Sequence, residues 1–583
     1  MNNQKTKKPP IVMDLAHYRS WVSQSKSDTI RRYNYLGVHT IKNKDTSHIN
    51  YKIHHILHNP NTFISAYVAI SKNKGALTKG VKDDEEVNKF FGKINAQSIA
   101  DQFKTNSYQF KSLRRTWIPK PGKTAMRPLD TPTQQETQQD RVVQEAIRGI
   151  LEAIYEPEFR EFAEKSKLLV NNYGFRPNLS TWQAVERFQE AAQGTSIVIE
   201  GDISKAYNTI NHNKLISLLS RRIKDKKFID LINNLLKCGV MDGKDYEHSL
   251  EGTPQGGIVS PLLFNIYMFE FDKYVFDTII SPITLNKPKL QKDKAYQNVG
   301  HRMRTALTSW QKSSKDKKSD DIRHLRLFRE SQLERLKMHS NKLTSLPKKA
   351  IFVRYADDWV LAFTGTHGEA QLIKDRIRDW LKEELSLSLS EEKTSITKIQ
   401  QGIKFLGFEI IMRSNRSTKI TRLSEQNSKT KEYNRFLRRT TSRKINILPD
   451  KYRLLSRLVL GKFCTEKTYF PIGIRSWAQF DEYEIVLKYR RIMVGLTNYY
   501  RNCDNVYFLN RVSYILQYSC AKTISVRQKS SISKVFNKYG KDLTIVRQYK
   551  TAEKTHTRTT SFPTLATLRT EGRLEYLNKI KTS

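Results

Sequence analysis

The strongest constraint on this chain is a pair of adjacent aspartates between two apolar runs. The segment Tyr355–Asp358 has the sequence Tyr-Ala-Asp-Asp and separates Ile351–Val353 from Trp359–Phe363. Two such runs joined by acidic turn residues are typical of a β-hairpin. Adjacent carboxylates at a hairpin tip repel each other, and a divalent cation offsets that repulsion. The segment alone therefore indicates either a metal-binding turn, as nucleotidyl transfer needs, or a solvated loop, which is the commoner case.

The net charge of the chain indicates a polyanionic partner. The 583 residues include 102 Lys and Arg against 58 Asp and Glu, a net charge of +44. Self-repulsion of this size destabilises a compact chain unless a polyanion neutralises it, so nucleic acid is the expected partner. The basic residues are spread along the chain, and no apolar run reaches the ~18 residues of a membrane span. No membrane partner is expected.

The cysteines and histidines do not indicate a structural metal site. The four cysteines are scattered and form no Cys-x-x-Cys pair: Cys238, Cys464, Cys503 and Cys520. This pattern argues against zinc and against a disulfide framework, and it fits a reducing compartment. His54, His55 and His58 are expected at solvated helix positions rather than as metal ligands. The segment Met1–Pro10 has neither the apolar core of a secretory signal nor the composition of a transit peptide.

A third acidic candidate lies upstream of the hairpin. Asp202 follows the strand-like run Ile197–Gly201, which places it either as a metal ligand at a sheet end or as a turn or helix-capping aspartate. If Asp202 and Asp357 share a metal, Tyr207 lies close enough to press on the sugar of a bound nucleotide. A ring there excludes a 2′-hydroxyl and selects deoxynucleotides. The alternative for Tyr207 is a core aromatic.

The most specific motif is the ten-residue loop at 252–261, Gly-Thr-Pro-Gln-Gly-Gly-Ile-Val-Ser-Pro. Its three glycines let the backbone approach a ligand closely. Ser260 and Pro261 then open an apolar helix, with proline in an early-helix position. Gln255 is a neutral hydrogen-bond donor on this loop, so the loop is a candidate ligand-binding site.

These three segments, in this order, resemble the palm motifs of a reverse transcriptase, and the match is to group II intron-encoded proteins, the reverse transcriptase/maturases. Further blocks resemble other parts of the family, at residues 66–81, 114–129, 140–144, 173–177, 387–394, 405–408 and 489–523. The resemblance extends over about residues 60–540.

The resemblance implies an RNA-directed DNA polymerase that copies an RNA template from a DNA primer with deoxynucleoside triphosphates. Asp202, Asp357 and Asp358 would hold two Mg²⁺ ions. Lys393 would either protonate the leaving pyrophosphate or contact nucleic acid. The expected nucleotide contacts are Lys120, Arg127, Tyr207 and Gln255. The expected RNA contacts are Lys72, Lys74, Arg176, Arg490, Arg491, Tyr499, Tyr500 and Lys522.

The implied fold class is α+β, a right-hand polymerase whose fingers and antiparallel palm sheet precede an α-helical thumb/maturase domain. The expected divisions are a basic N-terminal extension at 1–60, fingers and palm at 61–415 with a basic insertion at about 282–348, a thumb/maturase domain at 416–540 and a short basic tail at 541–583. The insertion is expected to be helical around Leu325–Met338. Strands are expected to stop at about residue 416, and helices are expected over Glu482–Leu496 and Leu509–Thr523.

The expected function is binding of the host group II intron RNA to promote its splicing, with reverse transcription in support of intron mobility. A splicing-only maturase is the alternative, and a retron or viral polymerase is a third reading that the block Asn498–Tyr500 disfavours. Beyond residue 523 the chain has no cysteine and a single histidine, His556, so no HNH endonuclease is expected. The basic tail leaves target DNA as a further partner. The abundance of Lys, Asn and Ile indicates an AT-rich genome. Such a genome favours an organelle, and a bacterial cytoplasm is the alternative.

Overall fold

The computed structural model describes residues 48–71, 93–119, 126–131, 139–242, 245–247, 249, 251–285, 290–315, 321–338, 341–343, 348–414, 419–426, 433–440, 443–550, 555–568 and 570. The expectations for Lys72, Lys74 and Lys120, and for most of the N-terminal extension, fall outside these residues.

The described helices lie mainly in three parts of the chain, before the central sheet, between its strands and after residue 450. The α-helices are α1 Pro60–Ile70, α2 Lys93–Lys104, α3 Gln139–Lys165, α4 Thr181–Ala191, α5 His212–Arg222, α6 Lys226–Lys237, α7 Ser260–Tyr274, α8 Ser281–Leu285, α9 Lys294–Lys315, α10 Asp321–Lys337, α11 His367–Leu385, α12 Lys451–Leu460, α13 Glu482–Tyr500, α14 Phe508–Arg527 and α15 Ile532–Tyr539. Ile53–His58 and Arg475–Trp477 form 3₁₀ turns, and Val275–Ile280 forms a π-helical turn between α7 and α8.

The described strands form several small sheets around one central sheet. They are β1 Leu113–Pro119, β2 Met126–Thr131, β3 Val170–Asn172, β4 Ile197–Gly201, β5 Val240–Asp242, β6 Asp245–Glu247, β7 Leu290–Lys292, β8 Asn341–Leu343, β9 Ala350–Tyr355, β10 Asp358–Phe363, β11 Ser395–Lys398, β12 Ile403–Phe405, β13 Phe408–Ser414, β14 Lys419–Gln426, β15 Tyr433–Thr440, β16 Arg443–Pro449, β17 Ile545–Lys550 and β18 Thr555–Thr560. The chain is therefore a mixed α/β protein.

The central sheet has five strands in the order β11-β4-β10-β9-β3. β4, β9, β10 and β11 pair antiparallel, and β3 joins β9 in parallel. Because successive side chains of a strand point to opposite faces, this sheet contributes to two cores. Trp359 and Leu361 join one apolar cluster, and Val360 and Ala362 join the other. Burial on both faces explains why β9 and β10 are continuous apolar runs.

The two apolar clusters connect the sheet to different parts of the chain. The first packs one sheet face against helices α1, α3, α5, α6 and α7. The second packs the opposite face against α4, the sheet β12-β13-β16 and helices α12, α13 and α14. The segment after residue 450 is thus packed through an apolar core onto the back of the central sheet. No described helix is long and apolar enough to cross a membrane.

The region between α7 and β9 forms a helical hairpin. Helices α9 and α10 are joined by an ion pair between Arg302 and Glu334, with Nη2 and Oε2 3.0 Å apart. The Arg335 guanidinium lies over the Tyr296 ring, 4.7 Å from its centroid. The short pair β7-β8 flanks the helices. The helix expected around Leu325–Met338 is present as part of α10 and begins earlier.

Two expectations from the sequence were wrong. Strands do not stop at residue 416, because five strands follow it: β14, β15, β16, β17 and β18. The helices expected over Glu482–Leu496 and Leu509–Thr523 are confirmed by α13 and α14. His54 is not solvated either, since it is 6% exposed and packs edge-on against Phe103. Its backbone N–H donates to the Asp225 carboxylate at 2.8 Å, which fixes the turn against α6.

Candidate active site

The acidic segment forms the tip of a β-hairpin, as the sequence predicts. Strands β9 and β10 pair antiparallel, and Tyr355 and Asp358 are the last partners before the turn. Ala356 has a left-handed backbone with φ of 58°, a conformation that a residue with a side chain rarely adopts. This backbone turns the chain within two residues, so Asp357 and Asp358 emerge at the end of the sheet.

Strand β4 delivers the third carboxylate to the same sheet end. Gly201 pairs with Trp359, so the next residue, Asp202, continues opposite Asp358. A Cβ atom on Gly201 would lie 2.1 Å from the Trp359 ring. Glycine at 201 is therefore what lets β4 cross the buried indole and carry Asp202 to the turn.

Three carboxylates lie within electrostatic reach of one another at this sheet end, which is called the cleft below. Burial raises the pKa of Asp357, and the charge of Asp202 raises it further. The loss of surrounding water raises the pKa of Asp358, and the charges of Asp357 and Asp202 raise it further, to about 6. The Lys393 Nζ lies 2.6 Å from Asp202 Oδ2 and lowers the pKa of both other carboxyls, as Arg127 does for Asp357. The cleft therefore favours cations.

The donor set fits a hard divalent cation. Carboxylate oxygens are its preferred ligands, and Mg²⁺ usually takes one or two of them and completes its shell with water and substrate phosphate. Within the described ranges, no group of three or more His, Cys, Asp or Glu side chains is placed to hold a metal ion by itself. Asp202, Asp357 and Asp358 offer oxygens of this kind, and water and substrate phosphate would complete the shell.

The glycine-rich loop lies against the Asp202 segment. The backbone N–H of Thr253 donates to Tyr207 O at 2.6 Å, and the Gln255 carbonyl accepts from the backbone N–H of Asp130 at 2.6 Å. The Gln255 side-chain Nε2 donates to Asn208 Oδ1 at 2.7 Å. The loop therefore bridges the segment after β4 and strand β2, and α7 begins at its last two residues, Ser260 and Pro261, as the sequence predicts.

Tyr207 lies between the loop and the acidic turn. Its ring stacks on Phe264 with centroids 4.6 Å apart. Its hydroxyl is buried and has no hydrogen-bond partner among the described residues. Burial, and then the charge of Asp357, raises the pKa of the phenol. The ring is thus both packed on the core and within electrostatic reach of Asp357.

Two expected RNA contacts are wrong because their side chains are buried in the protein. Arg176 is 7% exposed and forms a two-pronged ion pair with Glu156, with Nε–Oε2 and Nη2–Oε1 distances of 3.0 and 2.9 Å. Tyr500 is 2% exposed and donates to the Gly407 carbonyl at 3.1 Å. Neither side chain is free to contact a ligand.

The other described candidates differ in their accessibility. Arg490 donates to Ser561 O at 3.1 Å, and the Lys522 ammonium donates to Pro471 O at 2.8 Å, so both already hold protein segments. Arg491 is exposed. Tyr499 is 38% exposed, its ring stacks on Phe408 with centroids 5.1 Å apart, and its hydroxyl donates to Leu406 O at 2.6 Å. Arg491 and Tyr499 therefore remain the accessible members of the set.

Two arginines near the turn were missed by the sequence reasoning. Arg453 is exposed on α12, and its charge lowers the pKa of Asp358, so a helix from beyond residue 450 reaches the cleft. Arg354 is 1% exposed on β9. Its position directly after the apolar run Ile351–Val353 was a signal that could have identified it, since an isolated charge in a buried strand needs a partner.

Comparisons with known proteins identify two family matches. The family model described as reverse transcriptase (RNA-dependent DNA polymerase) matches residues 118–281 and 330–410. The model described as type II intron maturase matches residues 447–571. The first match is interrupted at the helical hairpin of α9 and α10.

Three curated relatives illustrate the breadth of the similarity. The group II intron-encoded protein LtrA of Lactococcus lactis subsp. cremoris is 30% identical over 498 residues, 84% of this chain and 76% of LtrA. The COX1/OXI3 intron 2 protein of Saccharomyces cerevisiae is 29% identical, over 85% of this chain and 54% of the yeast protein. The mitochondrial protein ymf11 of Marchantia polymorpha is 26% identical, over 74% of this chain and 59% of ymf11.

Proposed function

The chain belongs to the family of group II intron-encoded proteins, and from this premise we propose which of its residues carry each of the family's activities. Membership makes the protein an RNA-directed DNA polymerase and a maturase that binds intron RNA and promotes its splicing. Support of intron mobility by reverse transcription, with target DNA as a further partner, is part of the proposal.

The architecture we propose is a right hand. The sheet β2-β1-β5-β6 and the helices before it would be the fingers, the central sheet the palm, and helices α12, α13 and α14 the thumb/maturase domain. The boundaries remain 61–415 and 416–540, with an extension at 1–60 and a tail at 541–583. The second apolar cluster, which joins the palm sheet to those three helices, supports a thumb fixed to the palm.

We assign the reaction to Asp202, Asp357 and Asp358 with two Mg²⁺ ions. When bound, the ions would lower the pKa of the primer 3′-hydroxyl and neutralise the triphosphate. The protein's part is to hold the carboxylates at one rigid sheet end. Lys393 would occupy Asp202 Oδ2 before the nucleotide arrives and turn to the leaving pyrophosphate, which its 58% exposed side chain permits.

The nucleotide would lie between the loop and strand β2. Arg127 is exposed on β2 and lies within electrostatic reach of Asp357, so its guanidinium is positioned for a triphosphate. Gln255 would exchange its bond to Asn208 for one to the nucleotide. The Tyr207 ring, held by Phe264, would exclude a 2′-hydroxyl. Lys120 is assigned to the triphosphate on the family resemblance alone.

RNA binding would use exposed groups, with Arg491 and Tyr499 as the described candidates. Phosphate contacts suit the guanidinium of Arg491, and the ring of Tyr499 suits base stacking. Lys72 and Lys74 are assigned on the family resemblance. A splicing-only protein is disfavoured because the three aspartates and Gln255 are all present. We place the protein in an organelle, since one relative is mitochondrial, with a bacterial cytoplasm as the alternative suggested by LtrA.

The observation that supports the catalytic assignment is the pairing of Gly201 with Trp359, since Asp202 directly follows Gly201 and Asp358 directly precedes Trp359. Purified protein with primed RNA, deoxynucleotides and Mg²⁺ should extend the primer, and Asp357→Asn should abolish extension. Intron RNA binding by Asp357→Asn should stay within a few fold, because the substituted group faces the cleft. Asp230→Asn, an exposed change on α6, is the control and should extend normally. Full extension by Asp357→Asn would remove the assignment.

A further inference from the structure

A buried ion pair connects the catalytic hairpin to the helix behind it. The Arg354 guanidinium on β9 forms two bonds to Asp272 on α7, Nε–Oδ1 at 2.8 Å and Nη2–Oδ2 at 2.6 Å. Both side chains are at most 4% exposed. Such a pair often contributes no net stability over an apolar pair, because both charges lose their hydration. Its presence therefore calls for a role other than stability.

The same guanidinium holds the acidic turn. Arg354 Nη1 donates to the carbonyl oxygen of Ala356 at 3.1 Å. Ala356 is the left-handed residue of the turn, with φ of 58°. A strained backbone of this kind persists only where neighbouring groups determine it, and Arg354 is one of those groups.

A second contact fixes the turn from its other side. A Cβ atom on Gly174 would lie 2.4 Å from the backbone nitrogen of Ala356, so the chain after β3 lies directly against the turn. Gly174 O accepts from Asn265 Nδ2 at 2.8 Å, and Gly174 N donates to Asn172 Oδ1 at 2.9 Å. Asn172 Nδ2 in turn donates to Asn265 Oδ1 at 2.8 Å. The two contacts that hold the turn, one through Arg354 and one through Gly174, therefore both lead to α7, which carries Asp272 and Asn265.

Helix α7 is also the continuation of the glycine-rich loop. It begins at Ser260, five residues after Gln255, and a helix is stiff along its axis. A shift of α7 would therefore move the loop and the acidic turn together, whereas loss of Arg354 would leave only the contact through Gly174 and Asn265 to hold the turn to α7.

We propose that Arg354 is a positioning residue that fixes the acidic turn at a set distance from the glycine-rich loop, through Asp272 on α7. It touches neither substrate nor metal and acts through the backbone of Ala356. This proposal rests on the assignment of Asp357 and Asp358 to the reaction. Extension by the wild-type protein and its loss in Asp357→Asn test that assignment separately.

The first test is Arg354→Lys in the full-length protein. Lysine keeps the charge, but one ammonium replaces three separate nitrogens, of which Nε and Nη2 bind Asp272 and Nη1 binds Ala356, so the planar arrangement of all three bonds is lost. Because a displacement of about 1 Å at a reacting group can cost about a hundredfold in rate, kcat for primer extension should fall between about tenfold and a hundredfold. The KM for primed template and the affinity for intron RNA should change by less than about threefold, since the binding surfaces are untouched.

The second test separates positioning from folding. Arg354→Met combined with Asp272→Leu removes both charges and keeps apolar packing, which proteins often tolerate. The matched control is Arg222→Met with Glu158→Leu, a largely buried pair at 2.6 Å whose side chains are 7% and 16% exposed. The first double variant should bind intron RNA but extend slowly, and the control should do both at wild-type levels.

Two results would overturn the proposal. The first is wild-type kcat in the Arg354→Met, Asp272→Leu protein, which would show that the turn holds its place without the guanidinium. The second is a loss of RNA binding equal to the loss of extension in both Arg354 variants, because the pair would then serve folding alone.

Discussion

The close approach of Gly201 to Trp359 makes a single methyl group a precise probe of the site. In Gly201→Ala the new Cβ would lie 2.1 Å from Trp359 Cζ2, whereas ordinary contact begins at 3.4 Å, so the two atoms must move apart by about 1.3 Å. The indole cannot move that far, because Trp359 is 1% exposed and its ring lies 5.8 Å from Phe271 and 5.7 Å from Phe352, centroid to centroid. Strand β4 must therefore move away from β10.

That movement has two separate consequences. Overpacking a dense core costs typically about 1–3 kcal/mol, so the free energy of unfolding should fall by that amount. Asp202 directly follows Gly201, so it moves with the strand, and a displacement of about 1 Å at a reacting group can cost about a hundredfold in rate. Extension should therefore fall by far more than the folded fraction does.

The assay compares Gly201→Ala with two other proteins in denaturant unfolding and in primer-extension kinetics. Gly368→Ala is the matched control, since a Cβ there meets nothing within 4 Å. Gly201→Ala with Trp359→Phe is the rescue, because the smaller ring removes the contact. Equal extension by wild type and Gly201→Ala would refute the reasoning, and so would a failure of the smaller ring to restore any activity in a folded protein.

Three further outcomes follow from the same structure. Tyr207→Ala should relax discrimination between ribonucleotides and deoxynucleotides in single-nucleotide extension, whereas Tyr207→Phe should keep it because the ring remains. Arg176→Met breaks a buried ion pair with Glu156 but leaves the pair between Glu156 and Arg160, so the free energy of unfolding in urea should fall by less than the about 3–5 kcal/mol of a fully unpaired buried charge, and the folded variant should bind RNA normally. Burial, and then the charge of His58, lowers the pKa of His54 to about 4, so the unfolded state binds more protons between pH about 4 and 6.5 and stability should fall as pH falls through that window. His54→Gln should reduce that loss between unfolding measured at pH 7 and at pH 5.

The sequence predicted the parts of the site that local patterns specify. The apolar runs around the aspartates gave the hairpin, and the run before Asp202 gave β4. The ordered loop and the helix that opens at Ser260 were also present as expected. Each of these depends on residues within about ten positions of one another, which is the range over which periodicity and turn chemistry act.

The errors concern partners that are distant in the sequence. In the sequence Arg176 looks like an ordinary exposed basic residue, whereas in the structure its guanidinium lies 2.9 Å from the carboxylate of Glu156 on α3. Tyr500 is buried because the segment carrying Gly407 folds back over α13. The strands after residue 416 were missed although Ile445 and Ile447 alternate with polar residues, since β16 is completed only by pairing with β13, some thirty residues earlier.

The electrostatics of the cleft explain why copying and splicing can separate in such a chain. Burial raises the pKa of Asp357 and Asp358, and repulsion from the neighbouring aspartates raises both further in the folded state. Residues that are strained for function contribute little to stability and often reduce it. Loss of one of these carboxylates would therefore remove the reaction and relieve repulsion, while the apolar clusters on both sheet faces stay intact. The fold therefore does not depend on the three carboxylates to which we assign the chemistry.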